Sequence, residues 1–273
     1  MNIAIIYFSA TGNTAKMAGV IREHFTGMGV QADMYDITSH SSREHPIDLE
    51  PYHACVFGSP VHSWRAPRVM REWMRRLDGK DRKCSMFFTY GGFSIHPAHY
   101  STRQILSEQN FVVVSSAEFL GSHTFNLGGW KAMCGRPDQS DFNAAEAYAE
   151  TTCRRFTGED QELLTELEKT GYSEEELDAI ESFRFRALTK LPTRDGLGCS
   201  MCMLCEELCP NGAMNAQTGQ ADPGRCIACL SCVANCPEGA LRINDMTGIW
   251  PFKLQMEKET QESMSRKQSR IYL

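Results

Sequence analysis

The sequence predicts an α/β fold, a doubly wound parallel sheet of five strands, followed by a small α+β cysteine-rich unit. Three observations carry this. Apolar strand-like runs alternate with helix-period segments along residues 1–157, the pattern of an open sheet covered on both faces. A short hydroxyl-rich loop, Ser9-Ala10-Thr11-Gly12-Asn13-Thr14, follows the first of these runs. Two matched cysteine runs stand near the end of the chain.

Residues 2–8, apolar from Ile3 onward, read as a buried first strand. Residues 14–26 follow as a helix, with Met17, Val20, Ile21 and Phe25 at 3.6-type spacing and Gly27 and Gly29 ending it. Further strands are expected at 31–37, 53–58, 84–90 and 111–120. Helices are expected at 67–78, 97–109 and 142–157, the last with Asp141 as its N-cap. The segment from Gly121 to Asp141 is long for a connection and rich in glycine and aromatics. It reads as a cover or partner surface, or as a surface insertion without a role.

The loop Ser9–Thr14 lies where a strand's carboxyl end meets a helix N-terminus. Free amide groups and the helix dipole favour a phosphate there, and the hydroxyls of Ser9, Thr11 and Thr14 add donors. Gly12 permits close backbone approach. The loop lacks the G-x-G-x-x-G pattern, so no nicotinamide site is expected here.

The cysteine runs are Cys199, Cys202, Cys205, Cys209 with Pro210, and Cys226, Cys229, Cys232, Cys236 with Pro237. Both are C-x2-C-x2-C-x3-C-P, the spacing of bacterial iron–sulfur ligation, in which the fourth cysteine of each run serves the other cluster. That rule assigns Cys199, Cys202, Cys205 and Cys236 to one [4Fe–4S] cluster. Cys226, Cys229, Cys232 and Cys209 then take the second. The copies repeat beyond the ligands, as Cys-Pro-Asn-Gly-Ala and Cys-Pro-Glu-Gly-Ala. Zinc is the competing reading, but it favours paired C-x2-C knuckles, and disulfides do not suit a reducing compartment.

On the motif Ser9-Ala10-Thr11-Gly12-Asn13-Thr14 the first part resembles the flavodoxin family, whose loop is commonly T/S-x-T-G-x-T. Two later loops match by position: Ser59-Pro60-Val61-His62 with Trp64 after the third strand, and Thr89-Tyr90-Gly91-Gly92-Phe93 after the fourth. The resemblance implies strand order 2-1-3-4-5, with FMN at the switch point between the first and third strands. It also implies that the two later loops wrap the isoalloxazine, with Trp64 and Tyr90 as ring neighbours. Trp64 as an anchor of the next helix and Tyr90 as strand-end packing are the plainer alternatives. His62 reads as an exposed loop histidine or as a residue tuning the flavin, and the same choice applies to His96, His99 and His123. The whole chain is similar to flavodoxin–ferredoxin fusion proteins.

With 273 residues the chain exceeds the cysteine unit alone. The expected division is 1–157 for the flavin domain, 158–192 for a connector, 193–247 for the cluster domain and 248–273 for a tail. A mild net charge of −6 argues neither for nucleic acid nor for an anionic membrane surface, and no nucleic-acid partner is expected. No apolar run is long enough to span a bilayer, no signal peptide is evident, and a cytoplasmic location is expected. Arg65, Arg68, Arg71, Arg75, Arg76, Lys80, Arg82 and Lys83 form a basic face on and after one helix. It is read as solvated, or as a dock for the acidic cluster domain through Glu206, Glu207, Asp222, Glu238, Asp195 and Asp245. The connector reads as helices at 159–170 and 173–190, the second starting with a Ser173–Glu176 capping box and carrying an apolar side of Leu177, Ile180, Phe183, Ala187 and Leu188. Residues 191–196 read as a hinge, and the tail as a surface helix or frayed.

These features point to an electron-transfer flavoprotein joining FMN to two [4Fe–4S] clusters and serving redox partner proteins, with a homodimer possible on this reading. The alternative is a reductase acting on a small substrate or a corrinoid beside the flavin. A redox sensor without electron through-flow is the third class.

Overall fold

The structure is a computed structural model. It describes all residues except 163, 165, 166, 188 and 195–197, and only the backbone of residues 96 and 183–187. The first strand, β1 (Asn2–Tyr7), runs into helix α1 (Asn13–Gly27), then β2 (Gln31–Asp36), β3 (Ala54–Pro60), α2 (Arg68–Met74), β4 (Arg82–Tyr90), α3 (His96–Glu108), β5 (Phe111–Leu120) and α4 (Gln139–Thr157). The five strands are parallel and ordered 2-1-3-4-5, a flavodoxin-like sheet. Both faces are covered, which is why β1 and β3 are apolar almost throughout. Met17, Ile21 and Phe25 of α1 join Ala145, Tyr148 and Phe156 of α4 over one face. Met70 and Trp73 of α2 and Ile105 and Leu106 of α3 cover the other.

Three expectations are corrected here. Helix α4 starts earlier than residue 142, with Asp138 as its N-cap. Asp141 is the N3 partner of that capping box and also pairs with Arg136. The described residues of 159–170 form no helix. Asp160 caps its own turn on Glu162 and binds Arg155, while Leu164 and Leu167 bury against the α2/α3 face, so burial overrides local helix propensity. The tail is neither frayed nor wholly helical. It forms α8 (Trp250–Met256), α9 (Gln261–Ser265) and a final strand, β10 (Arg270–Tyr272), which pairs antiparallel with β5 and closes that edge.

Between these lie α5 (Glu174–Ala187), β6 (Thr193–Arg194), α6 (Leu204–Glu207), β7 (Met214–Asn215), β8 (Gln220–Ala221), α7 (Ser231–Ala234) and β9 (Leu241–Arg242). Helix α5 starts at the expected capping box, Ser173 N donating to Glu176 Oε2 at 2.8 Å. The expected stripe residues Phe183, Ala187 and Leu188 lie outside the described side chains. The hinge expectation fails at Arg194, which is held in β6 and donates to Ala216 O and Gln217 O. Asp195 and Gly196 lie outside the described residues. The small strands make an antiparallel sheet ordered β7-β8-β6-β9.

Among the described residues no ion pair joins the basic face to the acids of the cluster domain. Arg65 and Arg71 turn inward, 0% and 4% exposed, and meet the acids of α5. Arg65 reaches Glu174 at 2.8 Å, Asp178 at 2.6 Å and Glu181 at 3.1 Å, and Arg71 reaches Glu181 at 3.0 Å. The guanidinium fork suits several carboxylates at once, so the connector takes the place expected for the acidic module. Glu181 is the buried carboxylate shared by both arginines, so Glu181→Ala leaves Arg71 without its close partner and is expected to cost about 3–5 kcal/mol. Glu174→Ala removes a half-exposed carboxylate and is expected to cost at most about 1 kcal/mol. Chemical denaturation of both variants checks the contrast.

Candidate functional site

The first loop delivers what a phosphate needs. Gly12 adopts φ +93° as the residue preceding α1 and has no side chain to cap the helix, whose N-terminus opens on the loop. Ser9 is fixed from both sides. Its amide donates to Thr38 Oγ1 at 2.7 Å, and its hydroxyl accepts from Ala15 N at 3.0 Å. Thr14 is buried and bonds Thr89 Oγ1 at 2.7 Å, tying this loop to the end of β4. A cavity of about 40 Å³ opens among Ser9, Ala10, Thr11, Asn13, Thr14, Pro60, Val61, His62, Thr89, Tyr90, Gly91 and residues 121–124. All three sequence-predicted loops therefore meet at one place, joined by the start of the 121–141 segment.

A second cavity, about 180 Å³, shares Val61, Tyr90, Gly91 and His123 with the first. It adds Ser63, Trp64, Phe93, Ser94, Phe125, Trp130, Ile180 and Lys253. Ser59, Gly12 and Gly92 line neither cavity. Trp64 stands on a tight turn with Ser63 at φ +48° and itself at φ +70°, closed by His62 N donating to Arg65 O at 2.8 Å. Two successive positive φ values are those of a type I′ turn, strained without glycine. The ring of Trp64 packs on Tyr172 of the connector at 5.4 Å. Trp130, unremarked as a ring contact from sequence, is central: it lies 5.0 Å from His123, 5.2 Å from Phe125 and 5.5 Å from Trp250. Among the described residues its indole Nε1 and Ser63 Oγ are buried with no partner. Two unpaired polar groups on the walls of an aromatic slot fit a flat heteroaromatic ligand bearing hydrogen-bonding groups. Contrary to expectation His62 is buried, 5% exposed. The side chain of His96 lies outside the described residues.

His99 belongs to a buried polar set behind the cleft. Its Nδ1 lies 2.7 Å from Ser116 Oγ and its Nε2 3.2 Å from Glu118 Oε2. Tyr90 donates to Glu118 Oε1 at 3.2 Å, and Tyr272 of β10 donates to Oε2 at 3.0 Å. Burial opposes ionisation of Glu118. The His99 bond and charge, with both tyrosine hydroxyls, nevertheless hold the carboxyl below its usual 4.5. Burial, then the Glu118 charge, pushes Tyr90 up and raises Tyr272 to about 12. Tyr90 thus does two things that sequence reading held apart: it walls the cleft and packs at a strand end.

The cysteines fall into two sets. Cys199, Cys202, Cys205 and Cys236 line one cavity. Cys209 lies near Cys226, Cys229 and Cys232. The duplication in sequence reappears in geometry. Met201 and Met203 of the first loop, and Ala228 and Leu230 of the second, have positive φ at equivalent positions. Ala213 N donates to Cys209 Sγ and Ala240 N to Cys236 Sγ, while Met201 N and Ala228 N serve Cys199 and Cys226. Such amide-to-sulfur bonds stabilise thiolate and tune potential. Among the described residues no three His, Cys, Asp or Glu side chains are grouped for a single metal ion; the first thiol set lines a cavity instead. The sets differ in exposure. Cys202 is exposed, whereas Cys229 and Cys232 are buried, and burial raises the Cys232 thiol to about 12. A thiol of that kind ionises when a cationic core binds it.

Residues 4–114 match the family model of the flavodoxin domain, and residues 191–245 that of the 4Fe-4S dicluster domain. The chain therefore carries a flavodoxin domain followed by a dicluster domain, the make-up of an electron-transfer flavin and iron–sulfur protein. The flavodoxin domain implies FMN and the dicluster domain an iron–sulfur centre. Among solved structures it is similar to a flavodoxin from the domain Archaea, at 16% identity and TM-score 0.44, over 57% of this chain and 99% of that one. It is also similar to the rubredoxin oxygen:oxidoreductase of Desulfovibrio gigas, at 18% identity and TM-score 0.44, over 57% of this chain and 36% of that one. A Megasphaera elsdenii flavodoxin aligns at 20% identity and TM-score 0.38, over 54% of this chain and 98% of that one. Comparison with curated proteins gives no match. Among the described residues no helix is long and apolar enough to cross a membrane.

Two outcomes are expected at the cleft. The Glu118 bonds contribute fully above pH 4.5 and are lost as pH falls through the lower folded value, so wild-type stability should drop there. Glu118→Gln should flatten that acid limb while costing about 1–3 kcal/mol at neutral pH, read by denaturation across pH. A Cβ on Gly91 would stand 2.3 Å from His123 Cδ2. Gly91→Ala is expected to weaken flavin retention roughly tenfold, a cost of about 1.4 kcal/mol, measured by fluorescence titration with FMN.

Proposed function

We propose that this chain is a conduit that carries low-potential electrons between two [4Fe–4S] clusters and one FMN, connecting redox partner proteins outside it. Bound FMN supplies one- and two-electron chemistry, and each bound four-iron cluster supplies a single electron at low potential. The observation that carries the reading is shared burial: Ile227 and Cys229 of the second cysteine loop lie in one apolar cluster with Phe57, Trp73 and Ile105 of the flavodoxin sheet and helices. A cluster held there would be close to the flavin cleft and shielded from water. On this reading the Ser9–Thr14 loop holds the phosphate, and Trp64, Tyr90, Phe93 and Trp130 enclose the ring.

The thiol set of Cys199, Cys202, Cys205 and Cys236 supports a contact point for outside partners. Met201 and Cys202 are exposed there, and Glu206, Glu207 and Glu238 are exposed around them. That acidic rim favours a basic partner, whose association would slow as salt rises. Trp64, Phe93 and Trp130 line the slot proposed for the ring, so the conduit requires no second small ligand there.

Anaerobic purification followed by iron, sulfide and flavin analysis tests the proposal. About eight irons and one FMN per chain are expected; zinc or a flavin-free protein would overturn the corresponding half. Cys209→Ala is expected to damage the cluster held by the second run, and Cys236→Ala the one held by the first. Loss of the opposite cluster in either variant refutes the crossed ligation.

A further inference from the structure

Arg43 follows β2 and is buried, 7% exposed. Its Nη1 donates to Ile37 O at 2.6 Å and Thr38 O at 2.7 Å, and its Nη2 donates to Pro210 O, beside Cys209. The guanidinium also lies 5.9 Å from the ring centroid of Phe8. Among the described residues no carboxylate is within ion-pair reach of it. The charged and ionisable groups around it are Arg76, Glu72, Asp36 and Cys209. Glu72, Asp36 and Arg76 are exposed. A buried cation among carbonyl oxygens is costly unless an anion stands nearby. The group that answers this need is a thiolate-ligated cluster, which is anionic and would sit at Cys209.

Arg43 also links the modules. Thr38 accepts from the Ser9 amide through Oγ1 at 2.7 Å, and Arg43 holds the same residue's carbonyl. A continuous path of bonds thus runs from the loop at the first cavity to the turn that carries Cys209. The other copy lacks this arrangement: among the described residues Pro237 O accepts no arginine. That set has Arg194 instead, half-buried, with Nη1 3.6 Å from Cys199 Sγ, where water screens it.

We infer that Arg43 is a positioning residue and the buried counter-ion of the cluster held by Cys209, Cys226, Cys229 and Cys232, making that cluster easier to reduce than its duplicate. This rests on the two-cluster reading above. One electron added to an anionic centre is favoured by a desolvated cation at close range and disfavoured when it is removed. The duplicated ligand loops would otherwise give two similar centres, and the arginine breaks their equivalence towards the flavin side.

The test is a redox titration of the whole chain with dithionite and mediators, followed by electron paramagnetic resonance, on wild type, Arg43→Met and Arg43→Lys. The cluster affected is identified as the one whose signal Cys209→Ala alters. In Arg43→Met its equilibrium constant for one-electron reduction is expected to fall at least about tenfold, equivalent to about 59 mV, with the other cluster changing less than about twofold. Arg43→Lys, which keeps the charge, is expected to recover most of the loss. Equal shifts in both clusters, or none at full iron content, would overturn the inference. If Arg43→Met fails to hold iron, Arg43→Lys decides: retained iron at a near-wild-type potential supports the role of charge, and iron loss like that of Arg43→Met refutes it. A wild-type chain with only four irons would instead overturn the two-cluster reading.

Discussion

The structure depends on keeping two redox modules in one packed body, and an apolar seam does this. Leu230 from the second cysteine loop and Met246 after β9 bury against Leu120, Phe125, Trp130 and Trp250. Ile227 and Cys229 bury against the α2/α3 face. Burying such side chains is worth about 1.5–3 kcal/mol each, enough in sum to oppose the freedom of a tethered domain. Gly128 and Gly129 let the 121–141 segment approach closely, since a Cβ on Gly129 would stand 2.3 Å from Thr247 Oγ1. That segment is therefore both a wall of the cleft and the seat of the cluster domain.

Polar contacts fix the orientation that apolar area alone leaves loose. Arg65 and Arg71 clamp the connector helix beside the Trp64 turn, and Arg43 clamps the Cys209 turn to the β2 loop. Each uses an arginine in a dry place, where the fork geometry allows few arrangements. The tail adds a third tie. Lys267 donates to Gly92 O at 2.6 Å, and Met264 packs beside that glycine, so the loop bearing Gly91 and Phe93 is held from the far end of the chain.

The two thiol sets show how one duplicated motif can be placed in unlike surroundings. Backbone conformations, proline turns and amide-to-sulfur bonds repeat, but one set faces water and the other faces the flavodoxin core. Exposure and nearby charge are the levers that set cluster potential. The ligands are alike, and docking makes their surroundings differ.

The parallel sheet, its strand limits to within a few residues, the phosphate-type loop and the eight cysteines were legible in the sequence. Each depends on local spacing: apolar runs, a hydroxyl loop, a C-x2-C-x2-C-x3-C-P repeat. Even Ser173–Glu176 announced a helix start. What escaped was set by partners distant in the chain. His62 looks like an exposed loop residue until packing buries it, and Arg65 looks like a surface cation until the connector covers it. Glu118 looks misplaced in an apolar strand until His99, Tyr90 and Tyr272 converge on it. Residues 270–272 carry no strong strand signal, and they pair because β5 offers an open edge. Trp130 and Arg43 gained meaning only from what packs around them. Local chemistry determined which groups this protein can hold, whereas long-range packing decided which of them are dry, paired and adjacent, because burial and electrostatics are properties of surroundings that no short stretch of chain contains.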